Sequence, residues 1–328
     1  MAPVGLRTYI LKRIIYSIVL LYFVITVNFI IFMMMPGDPV SIMASQLKLK
    51  DPDIIRSVTE RFGLDRPLHE RYIKYVINML TGQFGYSYNS RKPIGDEIGL
   101  RLQNTLVLII PPEALAVIIG IVLGVVAANK RGKIYDSAAV ITALTTYSLP
   151  VFWIAMMLLL IFAYNLHWLP SGYTIPEYFA PQTIWENLGT RLWHLILPWT
   201  TLFFLSYGSY LLLTRATVIE CITEDYVVTA RAKGLKERTV LFKHTLKNAA
   251  LPIITEVAIV FGFTLGGAII TEQVFRYPGL GMWIWQSIEN VDYPALQAIF
   301  YIIAICVIIA NLIADLLYGV IDPRVKYG

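Results

Sequence analysis

The sequence predicts an all-α integral membrane protein with six transmembrane helices and cytoplasmic N- and C-termini. Three observations carry this. The 328 residues are 57% hydrophobic and only 15% charged, with mean hydropathy +0.63, whereas soluble domains carry about 25% charged residues. The apolar runs are long and continuous, not ten-residue alternations, so helices rather than a β-barrel satisfy the backbone inside a bilayer. Lys and Arg are unevenly shared between the connecting loops, which sets the orientation. The same composition excludes a disordered chain, a collagen-like chain and a disulfide scaffold. The two cysteines, Cys221 and Cys306, read as unpaired thiols. The net charge of +5 records topology and no nucleic-acid partner, because the cations are not gathered on one soluble module.

Taken in order, residues 1–13 form a cytoplasmic N-terminus and 14–35 the first span. Arg7, Lys12 and Arg13 precede it as in a signal peptide. However, the run exceeds the roughly 7–15 residues of a signal core, and Met33-Met34-Met35-Pro36 is no small-residue cleavage site. Residues 36–104 form a long outer segment, within which 51–80 reads as two short amphipathic helices. There Tyr72, Tyr75, Val76, Met79 and Leu80 recur at helical spacing around Arg71, Lys74 and Asn78, as in a lid packed on the membrane part. Residues 105–320 form a five-helix core with spans at 105–128, 138–164, 195–213, 249–270 and 295–320, and 321–328 a cytoplasmic tail. One side gathers 15 of the 27 Lys and Arg, the short loops opposite hold only Arg191 and Arg276, and the other 10 lie in 36–104. So long a segment translocates largely regardless of charge.

The loop 214–248 is the most informative stretch, with seven cations and four acids. Thr223 is placed to cap a helix beginning at Glu224-Asp225, where acids suit the positive end of the dipole. The helix runs through Tyr226, Thr229, Ala230, Arg231, Ala232 and Lys233, and Gly234 offers the left-handed residue that ends it. A second helical stretch covers 236–247. Small residues beside a glycine turn suit entry into a partner's groove, while composition alone suits a solvated, headgroup-facing loop.

Acids inside spans are functional candidates, because a charge there costs about 2.5–3.5 kcal/mol even on a lenient scale. Glu113 is expected near a span end, where exposure lowers that cost. Glu256 lies deeper and suits a cavity. Asp315 suits pairing with Arg324 or a loop cation. Ser206, Tyr207, Ser209 and Tyr210 offer hydroxyls to a pathway. Gly262, Gly266, Gly267 and Ala268 permit close helix approach, at a partner interface or, just before Glu272, at a gate. Tyr147/Ser148 and Trp283/Trp285 suit lining or packing equally. No Gly-x4-Gly-Lys-[Ser/Thr] phosphate loop occurs, so ATP is not cradled here in that way. His69, His167, His194 and His244 fall in expected loops without a His-Glu-x-x-His pattern, no serine elbow is seen, and no metal site or catalytic residue is assigned.

Several motifs stand in order along the chain. They are Pro36-Gly37-Asp38-Pro39; Gly63-Leu64-Asp65-x-Pro67-Leu68; Gly82-x-Phe84-Gly85-x-Ser87; and Arg101-Leu102-x-Asn104-Thr105-Leu106. Then follow Ser148-Leu149-Pro150-x-Phe152-Trp153, Trp168-Leu169-Pro170-x-Gly172, and the loop's Ala230-Arg231-Ala232-Lys233-Gly234-Leu235 with His244-x-Leu246-x-Asn248-Ala249 and Pro252. Glu272-x-x-Phe275-x-x-Pro278-Gly279-Leu280-Gly281, Asn311-Leu312-x-x-Asp315-Leu316-x-Tyr318 and Asp322-Pro323-Arg324-Val325 complete the series. This set resembles the ABC-importer permeases of the dipeptide/oligopeptide branch, including Val228 and Thr229 where the general importer pattern has Glu and Ala.

The resemblance implies a pore-forming subunit in the plasma membrane, with ATP and Mg on separate subunits and no cofactor on this chain. Its partners would be a second permease subunit, two cytoplasmic ATP-binding subunits and an external substrate-binding protein. Residues 222–248 would be the coupling loop, with Arg231 and Lys233 contacting acidic groups of the ATPase and Ala230 and Gly234 allowing close approach. The cargo expected is a di- or oligopeptide; oligosaccharides or nickel fit the same class. An ion-coupled secondary transporter would instead show inverted repeats or matched broken spans.

Overall fold

The computed structural model describes residues 6–34, 66–173 and 183–321, and among them the regular structure is helical. α1 covers Leu6–Met34, α2 Leu68–Thr81 and α3 Ile94–Asn129. α4 (Ile134–Ser148) turns into α5 (Val151–Leu158), which continues as a π-helical stretch over Leu159–Asn165. α6 covers Ile184–Cys221 and α7 Asp225–Ala232. A single α-helical turn at Glu237–Thr239 and a π-helical stretch at Val240–Thr245 then feed α8, Leu246–Val274. α9 spans Leu280–Glu289 and α10 Tyr293–Ile321. Within the described residues α1, α3, α6 and α10 are each long and apolar enough to cross a membrane, and α4 with α5 supplies a fifth crossing if the bent pair is one span.

That bent pair corrects the uniform span expected at 138–164. The two helices meet at 101°, because a residue before proline is pushed out of helical geometry. Leu149, preceding Pro150, is extended at φ −81°, ψ 136°. The second span is a 36-residue helix that begins at Ile94 and so absorbs Arg101–Leu106. The second helical stretch expected at 236–247 is present from Glu237 and runs through the π-helical stretch into α8.

α3 and α6 form the spine. Gly120 and Gly124, four apart, lie where the two backbones meet. A Cβ on Gly120 would come within 2.6 Å of Tyr210 Cβ, and one on Gly124 within 2.7 Å of Thr214 Cβ. Small residues at this spacing let helices touch along their backbones. At one end of the spine Asp136 takes both Arg215 Nε and a terminal guanidinium nitrogen, at 2.5 and 2.9 Å, which ties α4 to α6. Gly132 N–H also donates to Asp136, at 2.9 Å.

α1, α2 and α10 pack together at the other flank. Ile25, Phe29, Tyr75, Met79 and Tyr301 are buried in one cluster with Tyr72 and Val76 against it. Buried Asn28 donates to Tyr75 Oη (2.9 Å) and to the Gln297 carbonyl (3.0 Å), which bolts the three helices together. α2 is thus packed on the bundle as a lid would be, although Leu80 is 61% exposed and turns away from it. Asp315 pairs with Arg13 of α1 at 3.1 Å. Arg324, with Asp322 and Pro323, and Pro36, Gly37, Asp38 and Pro39 lie outside the described residues. Cys221 and Cys306 are free thiols.

Candidate functional site

The candidate residues fall on three levels along the spine. From Thr105 to Ala128 of α3 the rise is about 35 Å at roughly 1.5 Å per residue.

At the α7 end the chain forms a compact hairpin with its own core. Val227, Ala230 and Val240 are buried together, with Ile222 against them. Gly234 takes φ +71° and its N–H closes the helix on the Arg231 carbonyl at 2.9 Å. A left-handed residue is the ordinary way to stop a helix so abruptly. Thr223 does not cap this helix; it donates to the Glu220 carbonyl at 3.1 Å, while Glu224 occupies the capping position without a side-chain bond. Ala230 faces inward, so its close approach is to Val240 and Ile222 of the same hairpin. Arg231 reaches across to Glu237 at 2.7 Å. That ion pair holds the Glu237 carboxyl below its ordinary value. The outer surface is left to Tyr226, Val228, Thr229, Ala232, Lys233 and Leu235, all exposed.

Midway, α4, α6 and α8 enclose a cavity of about 320 Å³ lined by Tyr147, Leu205, Ser206, Ser209, Glu256, Ile259, Val260 and Thr264. Three residues chosen from sequence, Ser206, Ser209 and Glu256, converge here. Tyr210 does not join them. It is fully buried and donates to Glu113. Glu113 itself is 4% exposed, which corrects the expectation that exposure near a span end eases its charge; its relief is the tyrosine. Gly266 and Gly267 lie on α8, but their surroundings, like those of Gly262, are outside the described residues. Ala268 packs within this chain, against the Leu108, Ile109, Leu202 and Tyr277 cluster.

At the opposite end three of the motifs form one knot. Glu272 is wholly buried. It accepts from Thr105 Oγ1 at 2.7 Å and from Met282 N–H at 2.8 Å, and Thr105 Oγ1 in turn accepts from Leu280 N–H at 2.8 Å. Glu272 therefore caps the start of α9, where a carboxylate suits the exposed N–H groups. A side chain on Gly279 would overlap that carboxylate. Asn104 donates to the Pro278 carbonyl (2.9 Å), and Tyr173 N–H, next to Gly172, donates to the Phe275 carbonyl (3.0 Å). Glu272 is thus the centre of a fixed joint among α3, α8 and α9.

Some contributors were not singled out from sequence. Asp292 is wholly buried and accepts from Ser87 Oγ (2.5 Å), Tyr88 N–H (3.1 Å) and Asn89 N–H (3.2 Å), so it anchors the 87–89 loop at the start of α10. Its Asp-x-x-Ala position before a helix is an N-cap signal. The Gly120-x3-Gly124 spacing was equally available. His194, placed in a loop by sequence, lies buried in α6 with Nδ1 2.8 Å from the Thr190 carbonyl. Among the described residues no three His, Cys, Asp or Glu side chains converge as a metal site.

Comparison with known proteins bears on this arrangement. Residues 120–327 match the model for the binding-protein-dependent transport system inner membrane component, and residues 6–109 match the model for the N-terminal part of such membrane components. The chain is 37% identical over 310 residues to the dipeptide transport system permease protein DppB of Escherichia coli K12, covering 90% of this chain and 91% of that one. It is also 37% identical over 320 residues to the glutathione transport system permease protein GsiC of Escherichia coli K12 and of Shigella dysenteriae, covering 97% and 99%.

Proposed function

The chain belongs to the family of binding-protein-dependent transport system inner membrane components, and from that premise we propose that it is the pore-lining subunit of an ATP-driven importer of di- and oligopeptides. It is a multi-pass plasma-membrane protein. We place six crossings in it, with α4 and α5 together as the third, α8 as the fifth, both termini cytoplasmic and 36–104 outside. On this reading two ATP-binding subunits, carrying ATP and Mg, dock on the hairpin centred on α7; a second permease subunit completes the pore, and an external binding protein delivers cargo. Relatives named for dipeptide and glutathione transport support a peptide as that cargo.

The observation that carries the reading is the α7 hairpin. Its private core and its Arg231–Glu237 pair make it a stiff lever with an exposed face, joined without a break to α8. ATP-driven closure of the motor pushes the lever, and α8 transmits the push to the mid-bundle cavity and the Glu272 joint. The bundle then shifts between two packings. Lys233, Tyr226, Thr229, Ala232 and Leu235 supply the contact face, while Arg231 stiffens the lever beneath it.

The test is reconstitution in vesicles. This chain with the second permease, the ATP-binding subunits and the binding protein should accumulate labelled peptide only with ATP, and peptide should stimulate hydrolysis more than sugars do. Uphill accumulation by this chain alone, without a nucleotide-hydrolysing partner, would overturn the reading.

A further inference from the structure

We propose that the cavity between α4, α6 and α8 is a recognition site for a primary ammonium group, which, on the importer reading it rests on, is the free amino end of the peptide in transit. The polar groups on its wall are Glu256, Ser206, Ser209, Thr264 and Tyr147, and among the described residues no Lys, Arg or His lines it. Two of the hydroxyls already spend their protons inside their own helices. Ser209 Oγ donates to the Ser206 carbonyl (3.0 Å) and Thr264 Oγ1 to the Val260 carbonyl (2.8 Å). What they leave to a visitor is lone pairs.

Ser206 is the third hydroxyl of the wall. It is 2% exposed, it lines the cavity, and its hydroxyl is turned to the carboxyl of Glu113 behind it. Glu113 is also held by Tyr210, which donates to its Oε1. The wall therefore presents acceptors in front, including one carboxylate, and a second carboxyl at the back.

A visitor that brings only donors fits such a wall. An ammonium brings three N–H donors and no acceptor, and its bond to a carboxylate is charge-assisted. A substrate carboxylate would meet Glu256 with no cation to offset it. The volume, about 320 Å³, lies at the small end of ordinary ligand sites and suits the end of a peptide better than a long chain. A site of this kind tolerates any side chain, because the amino terminus is common to all peptides.

The experiment uses the complete importer in vesicles and reads two quantities, ATP-dependent uptake of labelled dialanine and ATP hydrolysis stimulated by the external binding protein. Glu256→Gln, which keeps size and removes charge, should lower uptake at least tenfold while hydrolysis stays within twofold. Glu256→Asp should keep at least a third of wild-type uptake. Uptake by Glu256→Gln within twofold of wild type overturns the proposal. If wild type shows no ATP-dependent uptake at all, the importer reading fails first and the proposal with it. A second measurement needs no variant: equilibrium dialysis of dialanine and N-acetyl-dialanine on the wild-type complex without the binding protein. Dialanine should bind at least tenfold tighter and be displaced by ethylammonium; equal binding of the two peptides, or no displacement, overturns the proposal. Dialanine binding more tightly than ethylammonium assigns the site to peptides, and equal affinity assigns it to amines in general.

Discussion

Thr105 holds two backbone or carboxylate partners with one hydroxyl, giving its proton to Glu272 and receiving that of Leu280 N–H. Replacing it with Val strands both, and each buried unsatisfied group costs about 1–3 kcal/mol. Thr105→Val should therefore lower unfolding free energy in detergent by at least about 1 kcal/mol, while Thr105→Ser, which keeps the hydroxyl, should lose well under half of that. Arg231 and Glu237 give a pH-dependent case. The carboxyl is depressed in the folded hairpin by the guanidinium hydrogen bond. Its contribution is therefore present above the unfolded carboxylate value, about 4.3, and is lost as pH falls through the lower folded one. Exposed pairs are worth roughly 0.2–1 kcal/mol. The Gly234 amide should thus exchange up to about fivefold faster in Glu237→Gln than in wild type at pH 7. The two should converge as the pH falls through the depressed value of the folded carboxyl, once rates are corrected for intrinsic exchange.

At the scale of elements, the α3–α6 contact depends on the absence of side chains. Gly124→Ala would force a Cβ to 2.7 Å from Thr214 Cβ and 2.8 Å from the Leu211 carbonyl, so the helices must part. It should destabilise the protein by about 1–3 kcal/mol, the usual cost of overpacking. Gly99→Ala, in the same helix with nothing within 4 Å of its Cβ, should be neutral or stabilising by up to about 1 kcal/mol. Thermal unfolding of the two variants side by side checks this. Equal melting temperatures would show that the spine is not held by backbone approach. The periodicity of α2 marked Tyr72, Tyr75, Val76 and Met79 correctly as a packed face. It misassigned Leu80, because a helical stripe drifts and the groove of α1 and α10 accepts only part of it.

For the whole molecule the question is how force crosses the membrane. The α7 hairpin proposed as the lever runs directly into α8, which carries the Glu272 joint toward its other end and lines the cavity between them. Gly234→Trp places a large side chain at φ +71°, a conformation that costs an L-residue about 1–2 kcal/mol, on the surface assigned to the motor. The variant should still insert in the membrane yet lose substrate-stimulated ATP hydrolysis in the reconstituted importer. Undiminished hydrolysis would detach the hairpin from coupling.

The sequence by itself determined the class. Apolar run lengths and scarce charge dictate helices in a bilayer whatever the packing, and the ordered motifs identify the permease type. It also located the glycine that ends α7, since only local backbone geometry is involved. Tertiary structure decided every question of partnership. Glu113 belongs with Tyr210, 97 residues away. Asp315 belongs with Arg13, from the other end of the chain. Glu272 is a buried cap and Glu256 a cavity wall, though both are acids of the same helix. Periodicity says which residues share a face, but a buried charge is stabilised by whatever side chain another helix brings to it. That depends on how the helices cross, and no single stretch of sequence contains the crossing.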